Sequence, residues 1–227
     1  MENAPNEKNL ERERLVFFCD AVVAIAITLL ALNLKVAHAG PHFTFMDIAN
    51  AWHTFAAFFL SFIIIAVFWV NHHRFFMHIN AVDPRIMIYN VCWLLFIVLL
   101  PFSCSLISSD FFNKPAMFIY SWNVLLVTLF QNAIWDYATT HRGLLKDSAT
   151  AAIKREYRVG CNIAIGNALF AIAVTFFTPL LAFLVLFTRT FLFRRSAQQY
   201  VARLTQKRRA KRKIEERTEE MDEKKME

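Results

Sequence analysis

Six long apolar stretches, almost free of charge, dominate this sequence and leave few folds open. They run over residues 15–34, 48–73, 87–107, 117–136, 159–177 and 179–193. A helix that crosses the hydrocarbon core needs roughly 20 apolar residues at about 1.5 Å each, and five of the six come close to that length. The sixth is short and contains Arg189, whose side chain can snorkel toward the headgroups. The segments around 58–68 and 92–100 are apolar on every side, as a lipid-solvated helix is and a surface helix of a soluble protein is not. The chain holds four glycines and no long alternating segments, which excludes a β-barrel, and helices are then the remaining way to satisfy backbone polar groups in lipid. The expected fold is all-α: a polytopic membrane protein with six transmembrane helices.

Charge sets the orientation. Of the 25 Lys and Arg residues, 23 fall before the first stretch, between the second and third, between the fourth and fifth, or from Arg189 onward. Lys35 and Lys114 lie on the other side. Positive charge marks cytoplasmic segments, so both termini are expected in the cytoplasm. Residues 1–14 then form a short cytoplasmic N-terminus, 15–193 the membrane domain and 194–227 a charged cytoplasmic tail. The first stretch lacks a small-residue cleavage site and reads as a retained helix in a plasma-membrane protein. The tail carries a basic block through Lys213 and an acidic run over 215–223. It reads first as a solvated topology signal and second as a contact for anionic lipid; nucleic acid is not an expected partner beside a membrane anchor.

All four cysteines, Cys19, Cys92, Cys104 and Cys161, lie inside apolar stretches without metal-ligand spacing, so they read as small buried side chains. His72, His73 and His78 with Asp83 make a thin case for a metal site, because the other histidines are scattered singly. There is no hydrolase elbow and no phosphate loop. No enzyme, cofactor or metal is expected.

The first apolar helix carries an ionisable residue, Asp20, about 9 Å beyond Arg14 along the axis. A carboxylate at that depth is costly unless paired, and marks a functional or structural bracket. Arg14, Phe18, Cys19 and Asp20 resemble the Arg-x-x-x-Phe-Ser-Asp motif of the prokaryotic transmembrane protein 175 potassium-channel family, with Cys19 standing for the usual Ser. The resemblance continues through Ser61-Phe62, Phe68-Trp69, Asn71 to Arg74, Asn90 and Pro101 to Ser103, so it covers the first three helices. It implies a homotetrameric potassium channel whose first helices line the pore, with a hydrophobic filter of apolar side chains. No Thr-Val-Gly-Tyr-Gly carbonyl filter is present.

At about 100° per residue, Arg14, Ala21, Ile25, Thr28 and Leu32 form one line on the first helix. Read alone, Ile and Leu at helical spacing signify packing. These positions also fit the family's pore-facing row, which makes Ile25 and Leu32 candidate constrictions with the Thr28 hydroxyl between them. Asp20 falls about 100° away from the line and should face a neighbouring helix. Trp69, His72, His73 and Asn90 lie at its depth on the second and third helices, so a polar bracket among Asp20, Trp69, His72, His73 and Asn90 is expected. The competing reading is a proton- or ion-coupled secondary transporter that uses Asp20 with His72 or His73.

Overall fold

The computed structural model describes residues 7–36 and 42–188. The chain divides into two units, Met1–Arg189 and Thr190–Glu227. Arg189 and the charged tail 194–227 lie outside the described residues.

The helices are α1 (Glu7–Leu30), which ends in a 3₁₀ turn at Ala31–Asn33, then α2 (Phe45–Asn50), α3 (Trp52–His78), α4 (Pro84–Ser109), α5 (Lys114–Thr140) and α6 (Ala151–Thr175). A further short apolar helix, α7, covers Pro179–Thr188. Among the described residues, five helices are long and apolar enough to cross a membrane: α1 with its 3₁₀ turn, α3, α4, α5 and α6. Among the described residues no strand forms, and Ile79 and Leu145 make an isolated antiparallel bridge.

Most of the long helices begin before their apolar stretches do, because polar residues in the flanks cap them. Asp83 accepts the Ile86 amide at 2.8 Å and Pro84 opens α4. Asn113 caps α5 through the Ala116 amide at 3.0 Å, and Thr150 caps α6 through Ile153 at 3.4 Å. Helix α6 therefore starts at Ala151 rather than 159. Its polar first two turns gain a partner on α5, where Arg158 pairs with Asp136 at 3.0 Å. The second apolar stretch divides at Ala51 into α2 and α3. A reciprocal box, with Thr44 and Asp47 bonding each other's backbone amides, fixes the start of α2.

Helix α4 is central and packs against α1, α3 and α5, while α6 packs on α5. The core is aliphatic and aromatic, with Leu60, Ile64, Phe68, Trp93, Ile97 and Tyr120 fully enclosed. Several polar side chains inside it are paired, which offsets the cost of burying them away from water. Ser61 and Tyr120 share a bond of 2.9 Å, and Gln131 donates to the Phe68 carbonyl at 2.8 Å.

Candidate functional site: the first helix and its polar supports

Helix α1 has two apolar faces with different fates. Cys19, Val23, Ala26 and Leu30, spaced by three or four residues, are buried against the bundle. The opposite face has no cover among the described residues. Ile25 is 59% and Leu32 69% exposed, with Thr28 exposed between them and Ala21 exposed one turn before. The Thr28 hydroxyl donates to the Ile25 carbonyl at 2.8 Å, which turns its remaining lone pairs outward. Arg14 and Phe18 are also exposed, whereas Cys19 of the same motif is fully enclosed.

The side of α1 between these faces carries the polar contacts. Asp20 Oδ1 accepts the Trp69 indole N–H at 2.7 Å. On the adjoining buried face, the Asn90 amide nitrogen donates to Cys19 Sγ at 3.0 Å while its oxygen meets His72 Nε2 at 2.7 Å. With Asn90 in this orientation, His72 Nε2 is the donor. The His72 ring is stacked on Trp93 at 4.2 Å and on Phe76 at 4.5 Å, and its Nδ1 has no hydrogen-bond partner among the described residues. Asp20, Trp69, Cys19, Asn90 and His72 thus join α1, α3 and α4. His73 stays out of these hydrogen bonds: it is exposed, and its ring lies 6.1 Å from that of Trp69. Asp20 and His72 bond separate partners.

A second set of contacts ties the end of the molecule where α3 meets α4 and α5 meets α6. Asn80 donates its amide to the Leu144 carbonyl at 2.7 Å, and Lys146 donates to His78 at 2.9 Å, so the two loops run as a short ladder. Arg12 donates to the Ile79 carbonyl at 3.2 Å and fastens α1 to that ladder. Burial and the neighbouring Arg12 charge push the Lys146 ammonium down. The Tyr137 hydroxyl donates to Asp83 at 2.6 Å. Sequence reasoning singled out Arg14 and passed over Arg12 and Tyr137. Both are ordinary residues of a basic flank and a helix end, and nothing in their spacing marks the loops they meet.

Burial raises the Asp83 carboxyl, but the Ile86 amide, the Tyr137 hydroxyl and the nearby His141 outweigh it and hold the carboxyl below its ordinary 3.8. A carboxyl lowered in the folded state contributes stability that is complete above its unfolded value and is lost as pH falls through the folded one. Tyr137→Phe is therefore expected to lower thermal stability slightly near neutral pH, and the difference from wild type should shrink in detergent melts taken below about pH 4. A difference that persists unchanged in acid would assign the effect to packing of the ring.

These features define a multi-pass α-helical membrane protein whose first helix holds a polar motif against the bundle and leaves an apolar row uncovered. Residues 14–101 match the family model described as "Endosomal/lysosomal potassium channel TMEM175". A potassium channel of Streptomyces collinus is 31% identical over 162 residues, spanning 69% of this chain and 78% of that one. A potassium channel of Chamaesiphon minutus is 31% identical over 174 residues, spanning 70% and 83%. The crystal structure of a lysosomal potassium-selective channel TMEM175 homolog from Chamaesiphon minutus superposes with a TM-score of 0.69 at 30% identity, covering 81% of this chain and 96% of that one. The chain belongs to the TMEM175 family, a family of channels and not of enzymes.

Proposed function

We propose that this protein is a potassium-permeable cation channel of the plasma membrane, with a pore lined by α1 from several copies of the chain. The observation that carries the reading is the division of α1: one apolar face is buried in its own subunit while Ile25, Thr28 and Leu32 stand uncovered on the other. A single row cannot enclose a path, so the reading requires a ring of copies with cyclic symmetry, and four, the number the motif resemblance implies, is the one to test. Ile25 and Leu32 act as apolar constrictions that partly dehydrate the ion, and the outward lone pairs of Thr28 compensate between them.

The full topology in this reading has six spans and both termini in the cytoplasm. The sixth crossing begins with helix α7. The bracket of Asp20, Trp69, Cys19, Asn90 and His72 fixes the rotation of α1, and the charged motif is scaffold rather than conduction path. Potassium is the permeant species and no cofactor takes part; anionic lipid is a partner for the basic tail. Separate partners for Asp20 and His72 favour a scaffold over the proton relay that a coupled transporter would need.

Reconstitution in planar bilayers with opposed potassium and sodium gradients tests the proposal. Unitary currents that reverse toward the potassium equilibrium potential are expected. Uptake of solute without channel current would move the assignment to a transporter, and silence across voltage and pH would remove the channel reading.

A further inference from the structure

The outer end of the proposed pore row is held by a contact outside the family motif. Helix α1 leaves α-helical geometry after Leu30, and the 3₁₀ turn Ala31–Asn33 carries Leu32 outward while Leu30 stays fully buried. At that turn the Asn33 side-chain nitrogen donates to the Pro101 carbonyl of α4 at 2.9 Å. The acceptor sits at a weak point of α4. A proline inside a helix removes the N–H that would close on the carbonyl four residues earlier, here Ile97, and frees the local backbone to bend.

Helix α5 braces the same place from its own side. In the amide orientation that satisfies both ends, Asn123 accepts from the Leu100 amide and the Ser103 hydroxyl and donates to the Phe96 carbonyl, each at 3.2 Å. Two asparagines on two helices thus meet the backbone and side chains of α4 within one stretch, 96–103. Asn123 holds that stretch to α5, and Asn33 transmits its position to the turn that bears Leu32.

We propose that Asn33 is a positioning residue for permeation, whose hydrogen bond to the Pro101 carbonyl sets how far Leu32 projects from the end of α1. The proposal rests on the reading of Leu32 as a constriction. A 3₁₀ turn has poorer hydrogen-bond geometry than the α-helix it ends and readily changes its winding. With the side-chain bond in place the turn is tied to α4. Without it, Leu32 follows a turn that can rewind, and the apolar ring loses a fixed radius.

Asn33→Asp removes the donor with almost no change in shape. At neutral pH it is expected to reduce the potassium-to-sodium permeability ratio about threefold in planar bilayers, the effect of one average hydrogen bond between membrane helices. Protonation gives the carboxyl a donor again, so acidifying the bath should restore the ratio, with wild type measured over the same pH range as reference. A purely structural role would lower assembly or thermal stability and would give no such recovery. A wild-type ratio for Asn33→Asp beside an altered one for Leu32→Ala overturns the positioning role and leaves the constriction standing. Unchanged ratios in both variants remove the constriction and the proposal together. If Asn33→Asp assembles only in acid, the channel can be incorporated there and the bath stepped to neutral; a ratio that ignores the step overturns the proposal.

Discussion

Replacing Ile25 and Leu32 together with alanine is expected to raise unitary conductance and to abolish most discrimination between potassium and sodium. An apolar ring opposes ions because it cannot replace the water they shed, and the narrower ring sets the barrier. A barrier lowered by about 1.4 kcal/mol raises the rate of crossing roughly tenfold, so a gain of that order is the expected scale. The control lies on the same helix. Leu30 is fully buried two residues before Leu32, and Leu30→Ala removes core packing at a cost of about 2–5 kcal/mol. It should depress the yield and melting temperature of the assembly and leave the permeability ratio of the surviving channels unchanged. Two leucines on one helix thus give opposite phenotypes if the uncovered row faces the pore. If Leu32→Ala behaved like Leu30→Ala, the row would be packing against a neighbouring subunit, and the permeation path would lie elsewhere.

Burial on α1 was legible in its sequence only up to a choice between two faces. Apolar residues occupy both, so periodicity alone found the line through Ile25 and Leu32 without saying whether it was covered. The small residues Cys19, Val23 and Ala26 decide it: they allow α1 to approach α3 and α4 closely, and the larger side chains are left outside. Asp20 could be directed away from the row by helical geometry, and depth pointed to Trp69, His72 and Asn90 as neighbours. Which partner bonds which was not available from depth, because that depends on side-chain rotation. His73 shows the difficulty. It shares the level of His72 but sits about 100° around α3, which turns it out of the bundle. The loop contacts of Arg12, Asn80 and Lys146 end on backbone carbonyls far away in sequence, and no local pattern encodes them. The helices begin ahead of the apolar stretches for a simpler reason: apolar length measures the part inside lipid, while Asp83, Asn113 and Thr150 begin the helices in the polar flank.

Asn90→Leu is expected to cause the largest loss of stability among the polar substitutions. Asn90 is fully buried and bonds two helices at once. Leucine would leave the His72 Nε2–H without an acceptor in a ring whose Nδ1 already has no partner. An unsatisfied buried group costs about 1–3 kcal/mol, and hydrogen bonds between membrane helices average about 0.6 kcal/mol with a maximum near 1.7, so a loss of roughly 1–2 kcal/mol is expected. Equilibrium unfolding in mixed micelles measures it. Asp20→Asn should do much less, since the amide oxygen can still accept the Trp69 indole N–H. The decisive comparison is the double variant Asn90→Leu with His72→Phe. Phenylalanine keeps a ring between Trp93 and Phe76, and replacing both partners of a buried hydrogen bond by apolar groups of similar shape is nearly neutral. The double variant should therefore regain most of the stability the single one loses. If it also conducts with wild-type selectivity, His72 and Asn90 hold the pore helix in place and nothing more. If it folds and assembles but its current loses a pH dependence present in wild type, the His72 ring takes part in permeation, and the scaffold role must be shared with a protonation step.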